Sequence, residues 1–84
     1  MMTIQMMTRE ENILWYLNNG EQKIKAILEK DSIDQSALDE AIAYVSGMRR
    51  MLGLLGYTAV EDADKSEYIH GYWVYTYKAI EDRR

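Results

Sequence analysis

Tyr68-Ile69-His70-Gly71-Tyr72-Trp73-Val74-Tyr75-Thr76-Tyr77 is the stretch on which the fold turns. Its last six residues are strand formers by propensity. Ile69, Trp73, Thr76 and Ile80 nevertheless recur at steps of 4, 3 and 4, the spacing of one helical face. Asp64-Lys65-Ser66-Glu67 has the form of a helix cap, and Lys78, Arg83 and Arg84 follow where a helix dipole favours cations. The periodicity predicts a third helix over about Lys65-Asp82. The alternative is a β-hairpin pairing Tyr57-Val60 with Tyr68-Tyr77.

Upstream, two helices are better marked. Thr8-Arg9-Glu10-Glu11 matches the capping box, in which a Thr oxygen and a Glu side chain satisfy orphan amides reciprocally. Ile13, Leu17, Gly20, Ile24 and Ile27 then line one face. Asn18-Asn19-Gly20 reads locally as a turn, but the apolar stripe resumes after Gly20 in unchanged phase. The reading is therefore one helix over Arg9-Lys30, weakened by roughly 1 kcal/mol at Gly20, where the missing side chain lets a neighbour come close. Asp34 caps a second helix, Asp34-Leu55, along which Leu38, Ala41, Val45, Met48, Leu52 and Leu55 recur. Gly56 suits the left-handed position beyond its end. The expectation is an all-α three-helix bundle: a helical hairpin plus the Lys65-Asp82 helix. The alternative is α+β with the C-terminal hairpin. Residues 1–7 read as a flexible N-terminal tail, and residues 8–84 as one domain.

Composition narrows the chemistry. The chain has 84 residues, of which 48% are hydrophobic and 29% charged, which fits one small globular domain. With no Cys and one His, disulfide frameworks, zinc fingers and cysteine nucleophiles are excluded, and no cofactor is implied. No apolar run approaches the roughly 18 residues of a membrane span, and no secretory signal is present, so the expected location is the cytoplasm. Asp62-Ala63-Asp64-Lys65-Ser66 resembles the start of a calcium loop. It carries Glu67 where that loop needs Gly and Trp73 where it needs Glu, so no metal site is expected. His70 with Glu67 is the nearest approach to an acid–base pair, and one such pair on a helix is commonplace. No catalytic motif accompanies it. The chain is read as non-enzymatic.

Net charge is −4, and residues 1–42 supply all of it. That balance argues against direct nucleic-acid binding. The nine aromatics are seven Tyr and two Trp, without Phe, and five of them lie between Tyr68 and Tyr77. Such residues, with an apolar body and a polar tip, are enriched at binding hot spots. Candidate partner-contacting residues are therefore Tyr68, Tyr72, Trp73, Tyr75 and Tyr77, with Glu10 and Glu21 on an acidic face of the first helix. The second helix is apolar around more of its girth than one neighbour covers. A homodimer is expected, burying part of Ala43, Gly47, Met48, Met51 and Leu54. Short, acidic and free of Pro and Cys, the chain resembles small accessory proteins of bacteria and their phages. The functional expectation is a protein–protein interaction module, in its sharper form an inhibitor that occupies a basic surface of its partner. The alternative is a small dimeric DNA-binding transcriptional regulator using Arg49, Arg50 and the terminal arginines.

Overall fold

The computed structural model describes residues 8–84; the tail expected over residues 1–7 lies outside them. Thr8 opens α1 (Arg9–Leu28) with the reciprocal cap the sequence implies: the Glu11 amide donates to Thr8 Oγ1 at 3.1 Å, and the Thr8 amide to Glu11 Oε1 at 3.2 Å. The helix runs through Asn18-Asn19-Gly20 without a break. Gly20 is where α2 crosses, and a Cβ there would stand 2.7 Å from Val45 Cγ2. Asn18 spends its turn chemistry across the fold. Its side chain donates to the Tyr77 carbonyl at 2.9 Å and accepts from the Tyr77 amide at 2.8 Å. α2 (Gln35–Leu54) is capped by Asp34 Oδ1, which accepts from the Ala37 amide at 3.1 Å, and it stops before Gly56 at φ +90°.

The C-terminal third is β, not helical. β1 (Tyr57–Glu61) pairs antiparallel with β4 (Tyr77–Asp82), with Tyr57 opposite Asp82 and Glu61 opposite Tyr77. Nested inside, β2 (Glu67–Ile69) pairs antiparallel with β3 (Tyr72–Val74), with Tyr68 opposite Trp73. His70 at φ +48° and Gly71 at φ +89° join them, both central turn residues having the positive φ of a type I′ hairpin. The two pairs form one long ribbon, interrupted where residues 62–66 face Tyr75 and Thr76. Asp62, Lys65, Ser66 and Thr76 knit that interruption together: the Asp62 amide donates to the Thr76 carbonyl at 2.7 Å, and the Thr76 amide to Ser66 Oγ at 3.1 Å.

The helix predicted over Lys65-Asp82 is thus overturned, and with it the all-α bundle. The α+β class of the alternative holds, but not its pairing of Tyr57-Val60 with Tyr68-Tyr77, because the turn at His70-Gly71 folds that stretch on itself and leaves β1 to pair with Tyr77–Asp82. The spacing of Ile69, Trp73, Thr76 and Ile80 marks no buried face, since Trp73 is exposed and only Ile80 is buried. Irregularities in the ribbon hide the strand alternation that the buried residues would otherwise show. The register shifts between Val60 and Glu61, so that Lys78 is an extra residue in β4. That bulge turns both Tyr77 and Ile80 toward the core, and the break before β4 adds Val74 at the same three-residue interval. Strand parity is lost twice, and the buried positions fall three apart, as on a helix. Asp64-Lys65-Ser66-Glu67 closes a loop: the Asp64 amide donates to Asp62 Oδ1 at 3.2 Å.

The two helices cover the ribbon as a single layer. Leu17, Ile24 and Leu28 of α1 meet Leu38, Val45 and Leu52 of α2 over Tyr57, Val74, Tyr77 and Ile80. The C-terminal residues close over the end of β1. Arg84 stands over the Tyr57 ring at 5.0 Å, donates to its hydroxyl at 3.2 Å, and holds Asp82 at 2.7 Å. Among the described residues no helix is long and apolar enough to cross a membrane.

Candidate functional site

The ribbon gathers the aromatic residues the sequence concentrates. Cross-strand pairing sets Tyr68 against Trp73, with ring centroids 5.3 Å apart. Trp73, Tyr75 and Tyr77 follow at every second residue, with centroids 6.3 and 6.2 Å apart, close to the roughly 6.6 Å that two residues of extended chain span. The row runs inward: Tyr68 and Trp73 are exposed, Tyr75 is half-buried, and Tyr77 is buried.

At the inner end lies Glu21, a carboxyl only 2% exposed. Its Oε2 and the Tyr77 hydroxyl are buried without hydrogen-bond partners. Burial pushes the Glu21 pKa up to about 7; the Tyr75 amide and the Arg49 guanidinium hold it back, and Glu61 adds to the rise. Burial, then the neighbouring Glu21, push Tyr77 up to about 12. Arg49, from α2, stands over the Tyr75 ring at 5.6 Å. Between these groups is an open cleft of about 240 Å³, lined by Glu21 and Ile24 of α1, Ile42, Val45, Ser46 and Arg49 of α2, and Gly71 to Trp73 with Tyr75 of the ribbon.

A second feature is the outward face of α2. Tyr44, Met51, Leu54 and Leu55 are each more than half exposed. Gly47 and Gly53 lie among them with open space beyond. This face continues into a groove of about 350 Å³ between the helices, where Gly20, Ile27, Ala37, Ala41 and Tyr44 form the walls and Lys23 and Glu40 the rim.

The structure therefore brings Tyr68, Tyr72, Trp73, Tyr75, Tyr77 and Glu21 into one neighbourhood. It leaves Glu10 apart, half-buried in the first turn of α1 within electrostatic reach of Arg84. Glu21 belongs to the cleft floor and not to an exposed acidic face. Of the residues expected to self-associate, Ala43, Gly47, Met51 and Leu54 are exposed, while Met48 packs half-buried against the core. His70 sits exposed at the ribbon turn, and Glu67 is engaged by Lys25 at 3.0 Å. Among the described residues no group of three or more His, Cys, Asp or Glu is placed to hold a metal ion. The sequence marks Arg49 only as one of the arginines of the DNA-binding alternative, whereas the structure sets it in the cleft wall. The signal was its position four residues after Val45, a buried neighbour on the same helix face. Comparison with protein families, with curated proteins and with solved structures finds no match.

Proposed function

We propose that the chain is a self-associating protein-interaction module, in which α2 of one copy packs antiparallel against α2 of a second. The observation that carries this reading is the unbroken exposed stripe Tyr44, Gly47, Met51 and Leu54, four positions that recur at steps of 3, 4 and 3. A two-fold axis at Gly47 makes that stripe self-complementary. Ala43 then faces the partner's Met51, and Tyr44 faces the partner's Arg50, a cation over an aromatic face. Leu54, 77% exposed, meets the partner's Glu40 at the rim of the interhelical groove, whose apolar walls receive it. No like charges are opposed. Gly47 at the crossing lets the helices approach to the short end of the usual 8–10 Å range.

In this reading the ribbon's exposed Tyr68 and Trp73 remain free to engage a further protein, as aromatic anchors do at interfaces. Glu21, being buried, takes no part in an acidic docking face. Light scattering after gel filtration tests the pairing: the chain is expected at twice its monomer mass, and Met51→Glu at the monomer mass with unchanged circular dichroism. A wild-type monomer at tens of micromolar overturns it.

A second reading, a small dimeric DNA-binding regulator, shares the dimer and draws on the exposed Arg50, which such a pairing brings near the axis in both copies but also sets against the partner's Tyr44. Against it, Arg49 is engaged with Tyr75, and Arg83 and Arg84 pair with Glu81 and Asp82. A gel shift at physiological salt separates the two; no retardation at micromolar protein removes the regulator.

A further inference from the structure

We infer that the cleft between α2 and the ribbon binds a flat, uncharged heterocycle of the nucleobase class, one whose edge sets an N–H donor beside a carbonyl acceptor. This site uses neither the outward face of α2 nor the proposed dimer, and it stands or falls separately.

Three observations define the ligand. The wall carries one near-parallel pair of rings, while Tyr68 is tilted by 57° against Trp73 and Tyr77 by 34° against Tyr75. Trp73 and Tyr75 lie within 19° of parallel with centroids 6.3 Å apart, so a slight splay gives the roughly 6.8 Å, twice the base-stacking rise, that a planar ring needs between two others. The floor holds a carboxyl oxygen without a partner, Glu21 Oε2, on a residue 2% exposed, and in its ionised form this group can only accept. A buried acceptor in that state costs about 1–3 kcal/mol until a donor reaches it. Above the floor, Arg49 over Tyr75 offers a planar fan of N–H donors and accepts nothing. A ligand that meets both groups must give a hydrogen to Glu21 and take one from Arg49 at adjacent edge positions. A lactam does both. Charge completes the argument: a cationic ligand would sit against Arg49, and an anionic one against Glu21 and Glu61. At about 240 Å³ the cleft is smaller than the roughly 300–1,000 Å³ of sites for drug-sized molecules, which fits a single ring system.

Nuclear magnetic resonance of the full chain with inosine tests this, using 1-methylinosine as the control that keeps the ring and carbonyl but has lost the N–H. Inosine is expected to shift the amide signals of Glu21, Arg49 and Tyr75 saturably at millimolar concentration, and 1-methylinosine to bind at least about tenfold more weakly. Glu21→Gln, which removes a buried charge and so preserves folding, is expected to weaken inosine binding by a similar factor. Arg49→Gln provides the same test from the opposite wall. The inference is overturned if those amides do not move. It is equally overturned if shifts are confined to Tyr68 and Trp73, if 1-methylinosine binds as well as inosine, or if both variants bind like the wild type.

Discussion

Replacing Glu21 by Gln isolates the largest electrostatic liability in the fold. The carboxyl is buried at the floor of the cleft between α1, α2 and the ribbon, and its pKa is raised from 4.5 to about 7. Because the folded chain holds this proton more tightly than the unfolded one, stability falls as pH rises from the unfolded value through the folded one, and is level above. That interval corresponds to about 3 kcal/mol. The groups facing Glu21 fix the sign: Arg49 from α2 and the Tyr75 amide favour the anion, while burial, which dominates, and Glu61 from β1 oppose it. Gln carries no proton to lose. The stability difference between Glu21→Gln and wild type should therefore grow from under about 1 kcal/mol at pH 5 to about 3 kcal/mol at pH 8. Any constant effect of exchanging oxygen for nitrogen displaces both ends equally, so the slope is the reading. Urea unfolding followed by circular dichroism at several pH values measures it. A difference independent of pH, or one that shrinks toward pH 8, would refute the reasoning and mean that Arg49 keeps Glu21 ionised at no cost.

Two further substitutions probe the packing. Asn18→Ala removes both hydrogen bonds to the Tyr77 backbone, at 2.8 and 2.9 Å, and is expected to cost about 2–3 kcal/mol, with faster amide exchange at Tyr77. An effect below about 0.5 kcal/mol would show that water replaces the side chain. Gly20→Ala improves helix propensity by about 1 kcal/mol but sets a methyl 2.7 Å from Val45 Cγ2, a buried β-branched carbon with little room to turn. Overpacking of about 1–3 kcal/mol should leave the variant less stable or at best unchanged in thermal unfolding, and a raised melting temperature would contradict the close helix crossing.

The helices were legible because their ends and faces agree. Thr8 with Glu11, Asp34 and Gly56 mark boundaries, and the phase of Leu17, Ile24 and Leu28 survives the apparent turn at Asn18-Asn19-Gly20. What overrode that turn is tertiary: Val45 fills the space above Gly20, and Asn18 bonds to β4. The ribbon was not legible from periodicity. The helical spacing of Ile69, Trp73, Thr76 and Ile80 is coincidental, with Trp73 exposed, while the bulge at Lys78 and the break before Tyr77 set the buried Val74, Tyr77 and Ile80 three apart and erase the alternation of a strand. His70-Gly71 was the local clue, a pair whose positive φ values suit a two-residue hairpin turn. The aromatic concentration pointed to a candidate site, and the structure sets those rings in a row beside a cleft. The burial of Glu21 was hidden, because a carboxylate on a helix reads as solvent-facing unless the opposing element is known. Arg49 was hidden for the same reason.

The pairing of α2 with a second α2 is tested most directly at its axis. The chain has no Cys, and a side chain at position 47 points into open space, so a Gly47→Cys variant carries one thiol, placed where the two-fold would set it against its own copy. Under mild oxidation the account predicts rapid and nearly complete conversion to a disulfide-linked dimer, whereas Lys78→Cys on β4 stays largely monomeric. Equal, slow cross-linking of the two variants would contradict it.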